Sequence, residues 1–127
     1  ATVRTVAENL KKAEEIYYMA NGYYEASTNQ LDIDFKGVCT GTDVLQCDNF
    51  FRIDIINGAG IVTDPSNLYI GISYYSDGYD VSTDSGKGPV DFWYRIWLDN
   101  SAYPGQRTCT GNTTLGKKFC KQMNAAQ

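Results

Sequence analysis

Residues 13–27 read "AEEIYYMANGYYEAS". A charged helical run meets Asn21-Gly22 and then a pair of tyrosines, and the way this stretch ends decides the fold. Asn-Gly supplies residues able to take the left-handed conformation that closes a last helical turn, so it marks a helix C-terminus. Reading backwards from it, Val3, Val6, Leu10, Ala13, Tyr17 and Ala20 recur at spacings of 3, 4, 3, 4 and 3, which keeps one apolar stripe on one face. The opposite face is charged. Glu8 precedes Lys12 by four and Lys11 precedes Glu15 by four, each pair contributing roughly 0.2–0.5 kcal/mol to an exposed helix, and Glu14 falls on the same wet side in this reading. A helix over about 1–22 is predicted. No capping box stands ahead of the stripe: it is in phase by Val3, and Thr2 is followed three residues later by Thr5 instead of Glu or Gln. Two readings follow, a short surface helix beginning at a frayed terminus, or the rear half of a longer helix whose front was removed.

A chain of 127 residues reads as one domain, 1–127, large enough to bury roughly two-thirds of its unfolded surface. With 20% charged and 43% hydrophobic residues it has neither a disordered nor a membrane-embedded composition. No run approaches the roughly 18 apolar residues of a transmembrane span, and no signal peptide is visible. A net charge of -4 and a pI near 4.6 argue against nucleic acid, whose phosphates require a cationic footprint. Lys117, Lys118 and Lys121 read as a solvated face.

The cysteines stand at 39, 47, 109 and 120, without a C-x-x-C and without any histidine to complete a zinc set. An even count among many turn residues reads as two disulfides in an oxidising compartment. Three pairings are open in principle. Proximity favours Cys39 with Cys47 and Cys109 with Cys120, each closing a short loop for roughly 2.5–3 kcal/mol in the chain-entropy model.

After the helix, residues 23–49 are dense in Gly, Ser, Thr, Asn and Asp, with a brief alternation at Leu31, Ile33 and Phe35. This reads as a long loop pinned by the first cysteine pair. The period then changes to two, over 50–56 (Phe51, Ile53, Ile55), 68–74 (Leu68, Ile70, Ile72, Tyr74) and 90–98 (Val90, Phe92, Tyr94, Ile96, Leu98), with "NGAG" at 57–60 as a hairpin turn. A weaker strand through 106–110 brings the expected antiparallel sheet, about 50–110, to three or four strands, and the helix stripe is its natural cover. The segment 111–127 closes with Leu115, Phe119 and Met123 four residues apart behind a cap at Asn112 or Thr113.

A helix ending in "AEEIYYMANGYY", a loop, an antiparallel sheet and a cysteine pair bounding the C-terminal segment together resemble a bacterial type IV pilin or pseudopilin. Residues 17–24 match that family's "YY-x-A-N-G-x-Y" helix end, and Cys109 and Cys120 match the pair that ties down its C-terminal loop. The resemblance implies an α+β pilin-like roll with the helix packed on the sheet. It implies a structural filament subunit that assembles with copies of itself and the pilus assembly machinery. It further implies a preceding segment of roughly 25 apolar residues, enough to span a bilayer and absent from this sequence together with the family's N-terminal Phe and early Glu. Membrane contact would run through that segment alone. The implied location is the inner membrane before assembly, then an extracellular pilus or periplasmic pseudopilus.

Enzymatic readings find little support. With no His and no free thiol expected, Ser-His and Cys-His schemes are closed, and no spacing singles out a carboxylate pair. No cofactor is expected. In "SDGYDVSTDSGKG" the residues Asp77, Asp80 and Asp84 are candidate calcium ligands, although the order does not fit an EF-hand and a solvated loop is the simpler reading. Trp93 and Trp97 flank Arg95 on the outer side of the third strand, a candidate partner surface. It supports the alternative of a secreted carbohydrate- or protein-binding module, unless a loop folds over it. Asn112-Thr113-Thr114 has the form of a glycosylation sequon.

Overall fold

The computed structural model describes residues 2–28, 31, 39–41 and 43–126. The predicted helix is α1 (Thr2–Asn21), closed by Gly22 at φ 78, whose N–H donates to the Tyr18 carbonyl at 2.7 Å. Of its stripe, Val3, Val6 and Leu10 are buried, and Ala13 and Tyr17 pack against the core. Ala20 is exposed, which corrects the reading. At 3.6 residues per turn Ala20 lies about 80° round the helix from Leu10, because a strict three-four repeat drifts off one face of a straight helix. The same geometry puts Glu14 only about 40° from Leu10, and Glu14 is buried, not wet. Thr5 and Glu8 have capping-box spacing, but the helix is already running at Thr2. Glu8 turns from Lys12 to Arg107, while Lys11 and Glu15 do pair, at 3.4 Å.

The remaining elements are β1 (Tyr24–Glu25), β2 (Cys39–Gly41), β3 (Leu45–Cys47), β4 (Phe51–Ile56), β5 (Ile61–Val62), β6 (Tyr69–Tyr74), β7 (Tyr79–Asp80), β8 (Ser85–Gly86), β9 (Phe92–Trp97), β10 (Arg107–Gly111) and α2 (Thr114–Ala126). The main sheet runs β10-β9-β6-β4-β3-β2, antiparallel throughout. Six strands replace the expected three or four. The two extra ones lie within the supposed loop, where the β2–β3 hairpin sets Cys39 opposite Cys47 and the disulfide between them staples the sheet edge. Leu31 is buried; Ile33 and Phe35 lie outside the described residues.

"NGAG" does not join two neighbouring strands. Asn57 (φ 70) and Gly60 (φ 59) take turn conformations, yet they send the chain off the sheet so that β5 pairs with β1, and β4 instead meets β6. Ile53 and Ile55 of β4, Ile70 and Ile72 of β6 and Ile96 of β9 point inward beneath α1 with Leu10, Leu68 and Leu98. On the same side, α2 is bound to β10 by the Cys109–Cys120 disulfide. The fold is therefore α+β: an N-terminal helix on an antiparallel sheet, with two disulfides.

Since Leu10 is wholly buried, Leu10→Ala should cost roughly 2–5 kcal/mol through lost burial and a cavity. Lys12→Ala, on the exposed side, should cost under about 0.5 kcal/mol. Equal urea midpoints for the two variants would overturn the assignment of the buried face.

Candidate functional site

Strand alternation carries Trp93, Arg95 and Trp97 to the outer face of β9, as their spacing required, opposite Ser73, Gly71 and Tyr69 of β6. Arg95 and Trp97 are partly covered and Trp93 is exposed. Tyr69 and Tyr103 pack on Trp97 at centroid distances of 4.7 and 4.8 Å, and the Arg95 guanidinium stands over the Tyr69 and Trp93 rings at 5.4 and 5.7 Å. These contacts make a ladder that satisfies much of its own surface, and Trp93 stays 37% exposed at one end. Rings inclined at 50° and 63° give an edged ridge, poorly shaped for a flat sugar ring.

The 76–89 loop reaches the neighbouring row of that face. Asp84 accepts hydrogen bonds from Arg52 Nε at 3.0 Å and from the Tyr79 hydroxyl at 2.5 Å, and these hold its carboxyl below the usual range. Asp80 is occupied by the Ser82 N–H and hydroxyl, and Asp77 stands apart beside Gly88. The three carboxylates do not converge, and among the described residues no group of three His, Cys, Asp or Glu is placed to hold a metal ion. The loop is an ion-paired cover for Arg52.

A feature that sequence reading missed lies on the inner face. Between the first turn of α1 and the later turns of α2, an apolar groove of about 400 Å³ is lined by Val3, Phe51, Phe92, Phe119 and Met123, with Arg4 and Asp48 at its margin. It runs on into a recess beside Phe50 and Leu115. Phe92 and Phe119 stack with centroids 4.5 Å apart, yet Phe119 remains 42% and Leu115 51% exposed. The four-residue spacing of Leu115, Phe119 and Met123 signals an apolar helix face; it cannot signal that the sheet beneath is too narrow to cover it. Lys117, Lys118 and Lys121 are exposed on the same helix, and Asn112 of the sequon is exposed before it.

Polar chemistry concentrates at two seams. Arg107 of β10 donates from Nε and Nη2 to Glu8 of α1 at 2.8 and 2.5 Å, which lowers the Glu8 carboxyl's affinity for protons. Near the other end of α1, the Tyr24 hydroxyl donates to Glu15 and accepts from Asn100, while Glu15 also accepts the Asp99 N–H at 2.8 Å. Beside it Glu14 is wholly buried; desolvation first, then the nearby Glu15 and Glu25, pushes its carboxyl up to about 8 against the partial relief of the Glu25 N–H.

No family model, curated protein or solved structure matches the chain. The fold and its seams define a disulfide-stapled α+β domain of an oxidising compartment, and no helix among the described residues is long and apolar enough to cross a membrane.

Proposed function

We propose that this chain is the globular part of a structural subunit, major or minor, of a type IV pilus or related pseudopilus. In this reading it has that family's roll and assembles into a helical filament through its N-terminal helix. The observation that carries it is a conjunction: α1 lies on an antiparallel sheet and ends in the Tyr17–Tyr24 motif, and the C-terminal segment is tied back through Cys109–Cys120. The partly exposed groove near Val3 adds apolar surface of the kind subunit contacts use. The role is structural, without catalysis or cofactor. The subunit would sit in the inner membrane before assembly and in the filament afterwards.

The coding sequence upstream of Ala1 tests this directly: a leader and roughly 25 apolar residues are expected. An ordinary secretory signal would instead favour a secreted binding module acting through Trp93, Arg95 and Trp97, for which the exposed end of the ladder speaks. Light scattering on residues 1–127 should report a monomer, whereas the form carrying the apolar segment, supplied with assembly machinery, should give filaments by electron microscopy. Filaments grown from 1–127 alone would refute assembly through the helix.

A further inference from the structure

The seam between α1 and β1 buries a carboxyl that nothing among the described residues neutralises. Glu14 has no solvent exposure; its Oε1 accepts the Glu25 N–H at 3.1 Å, and Oε2 has no partner among the described residues. Around it α1 contributes Glu15 and Tyr17, and β1 contributes Tyr24 and Glu25. The corner after β9 contributes Asp99, and β5 contributes only Ile61 and Val62. Two of these groups are already committed: Glu25 accepts the Ser27 N–H at 3.1 Å, and Glu15 takes Tyr24 and the Asp99 N–H. Lys11, one turn before Glu14 on the helix, is committed as well, to Asp99 at 2.9 Å and to Glu15 at 3.4 Å. An ionised carboxylate without a counter-ion is too costly to bury, so the seam closes around a protonated Glu14.

The mechanics of the seam let it move alone. β1 is two residues long and pairs only with β5, in a ribbon separate from the six-stranded sheet. β1 is held to α1 by the Glu14–Glu25 hydrogen bond, the Tyr24–Glu15 contact and the Tyr18–Tyr24 and Tyr17–Tyr23 ring pairs, at 4.6 and 5.9 Å, and the wholly buried Tyr24 also accepts from Asn100. Parting these breaks no rung of the main sheet. We propose that Glu14 is a proton latch: closing the C-terminal half of α1 on β1 takes up a proton on this carboxyl, and rising pH loosens the seam while the six-stranded sheet stays intact. This goes beyond the filament reading and does not depend on it.

The sign follows from linkage. The open seam exposes Glu14 to water, where it releases its proton near the ordinary value of 4.5, while the closed seam holds it to about 8. Opening therefore becomes up to about tenfold easier per pH unit between those values and levels off above them. Amide hydrogen exchange, corrected for intrinsic base catalysis, reads this at Glu25, whose N–H is bound to Glu14 across the seam. Its protection should fall by roughly tenfold per pH unit from pH 5 to 8 while the β6 amides stay far better protected, and Glu14→Gln should abolish the slope. A slope that persists in Glu14→Gln, or a Glu25 amide protected equally with those of β6, overturns the latch. Should that variant not fold, the carboxyl carbon resonance of Glu14 in the wild-type chain decides: titration near 4.5 rejects the proposal, and titration well above it supports it.

Discussion

Gly116→Ala is expected to destabilise the protein by more than about 3 kcal/mol, against the usual helix preference, which favours Ala over Gly by about 1 kcal/mol. A Cβ at Gly116 would stand 1.7 Å from the Asp91 carbonyl oxygen, and one at Gly111 would stand 2.4 Å from the Lys117 nitrogen. The first turn of α2 therefore lies directly on backbone. Asp91 cannot retreat: its carbonyl accepts the Asn112 N–H at 2.8 Å, its N–H donates to Tyr74 at 2.8 Å, and its carboxylate takes the Ser76 N–H and the Thr113 hydroxyl at 2.8 and 2.6 Å. Burial raises that carboxyl and the hydrogen bonds outweigh it, so its affinity for protons ends below the usual range. Thr113 in turn caps α2 by accepting the Gly116 N–H at 3.1 Å. A methyl at 116 thus disturbs a cap, a buried carboxylate and two backbone bonds together. Urea unfolding followed by circular dichroism measures the loss; Lys118→Ala, exposed on the same helix, should cost under about 0.5 kcal/mol. A neutral or stabilised Gly116→Ala would show that α2 does not sit on Asp91.

Elements long enough to repeat their pattern are legible in the residues themselves. Val3, Val6 and Leu10 announce the buried face of α1, and the alternations at Phe51, Ile70 and Phe92 announce β4, β6 and β9. The short cysteine loops announce both disulfides. Two- and three-residue strands are not legible, because β1, β2, β3, β5, β7 and β8 are too short to show a period and owe their existence to distant partners. Glu14 is misread for the same reason. Its position four residues after Leu10 and seven after Ala7 already puts it in the stripe; a carboxyl is tolerable there only because the N–H of Glu25 reaches it, and that contact depends on the β1–β5 ribbon. The outer ladder is half legible: β9 displays Trp93, Arg95 and Trp97, while Tyr69 and Tyr103 come from elsewhere.

Glu14→Gln should stabilise the whole fold at neutral pH, and the size of the gain should depend on pH. A carboxyl held to about 8 in the folded chain and near 4.5 in the unfolded one keeps its proton on folding throughout that interval, so the unfolded state binds fewer protons and stability falls as pH rises. From pH 4.5 to 7 the loss is on the order of 3 kcal/mol. Below that interval other groups act in the opposite sense. Glu8, held low by Arg107, and Asp84, held low by Tyr79 and Arg52, give stability that disappears as pH falls through their depressed values. The wild-type melting temperature should therefore peak in mild acid and decline towards pH 8. Glutamine retains the acceptor for the Glu25 N–H but leaves its amide group where Oε2 had no partner, so part of the gain is lost to an unsatisfied donor. The expected net effect is a gain of about 1–3 kcal/mol at pH 7, little or none at pH 5, and a melting curve nearly flat between those points. Parallel wild-type and variant curves across pH 5–8 would mean that Glu14 is ionised in the folded protein, and would require a counter-charge in the seam that Lys11, already shared between Asp99 and Glu15, does not supply.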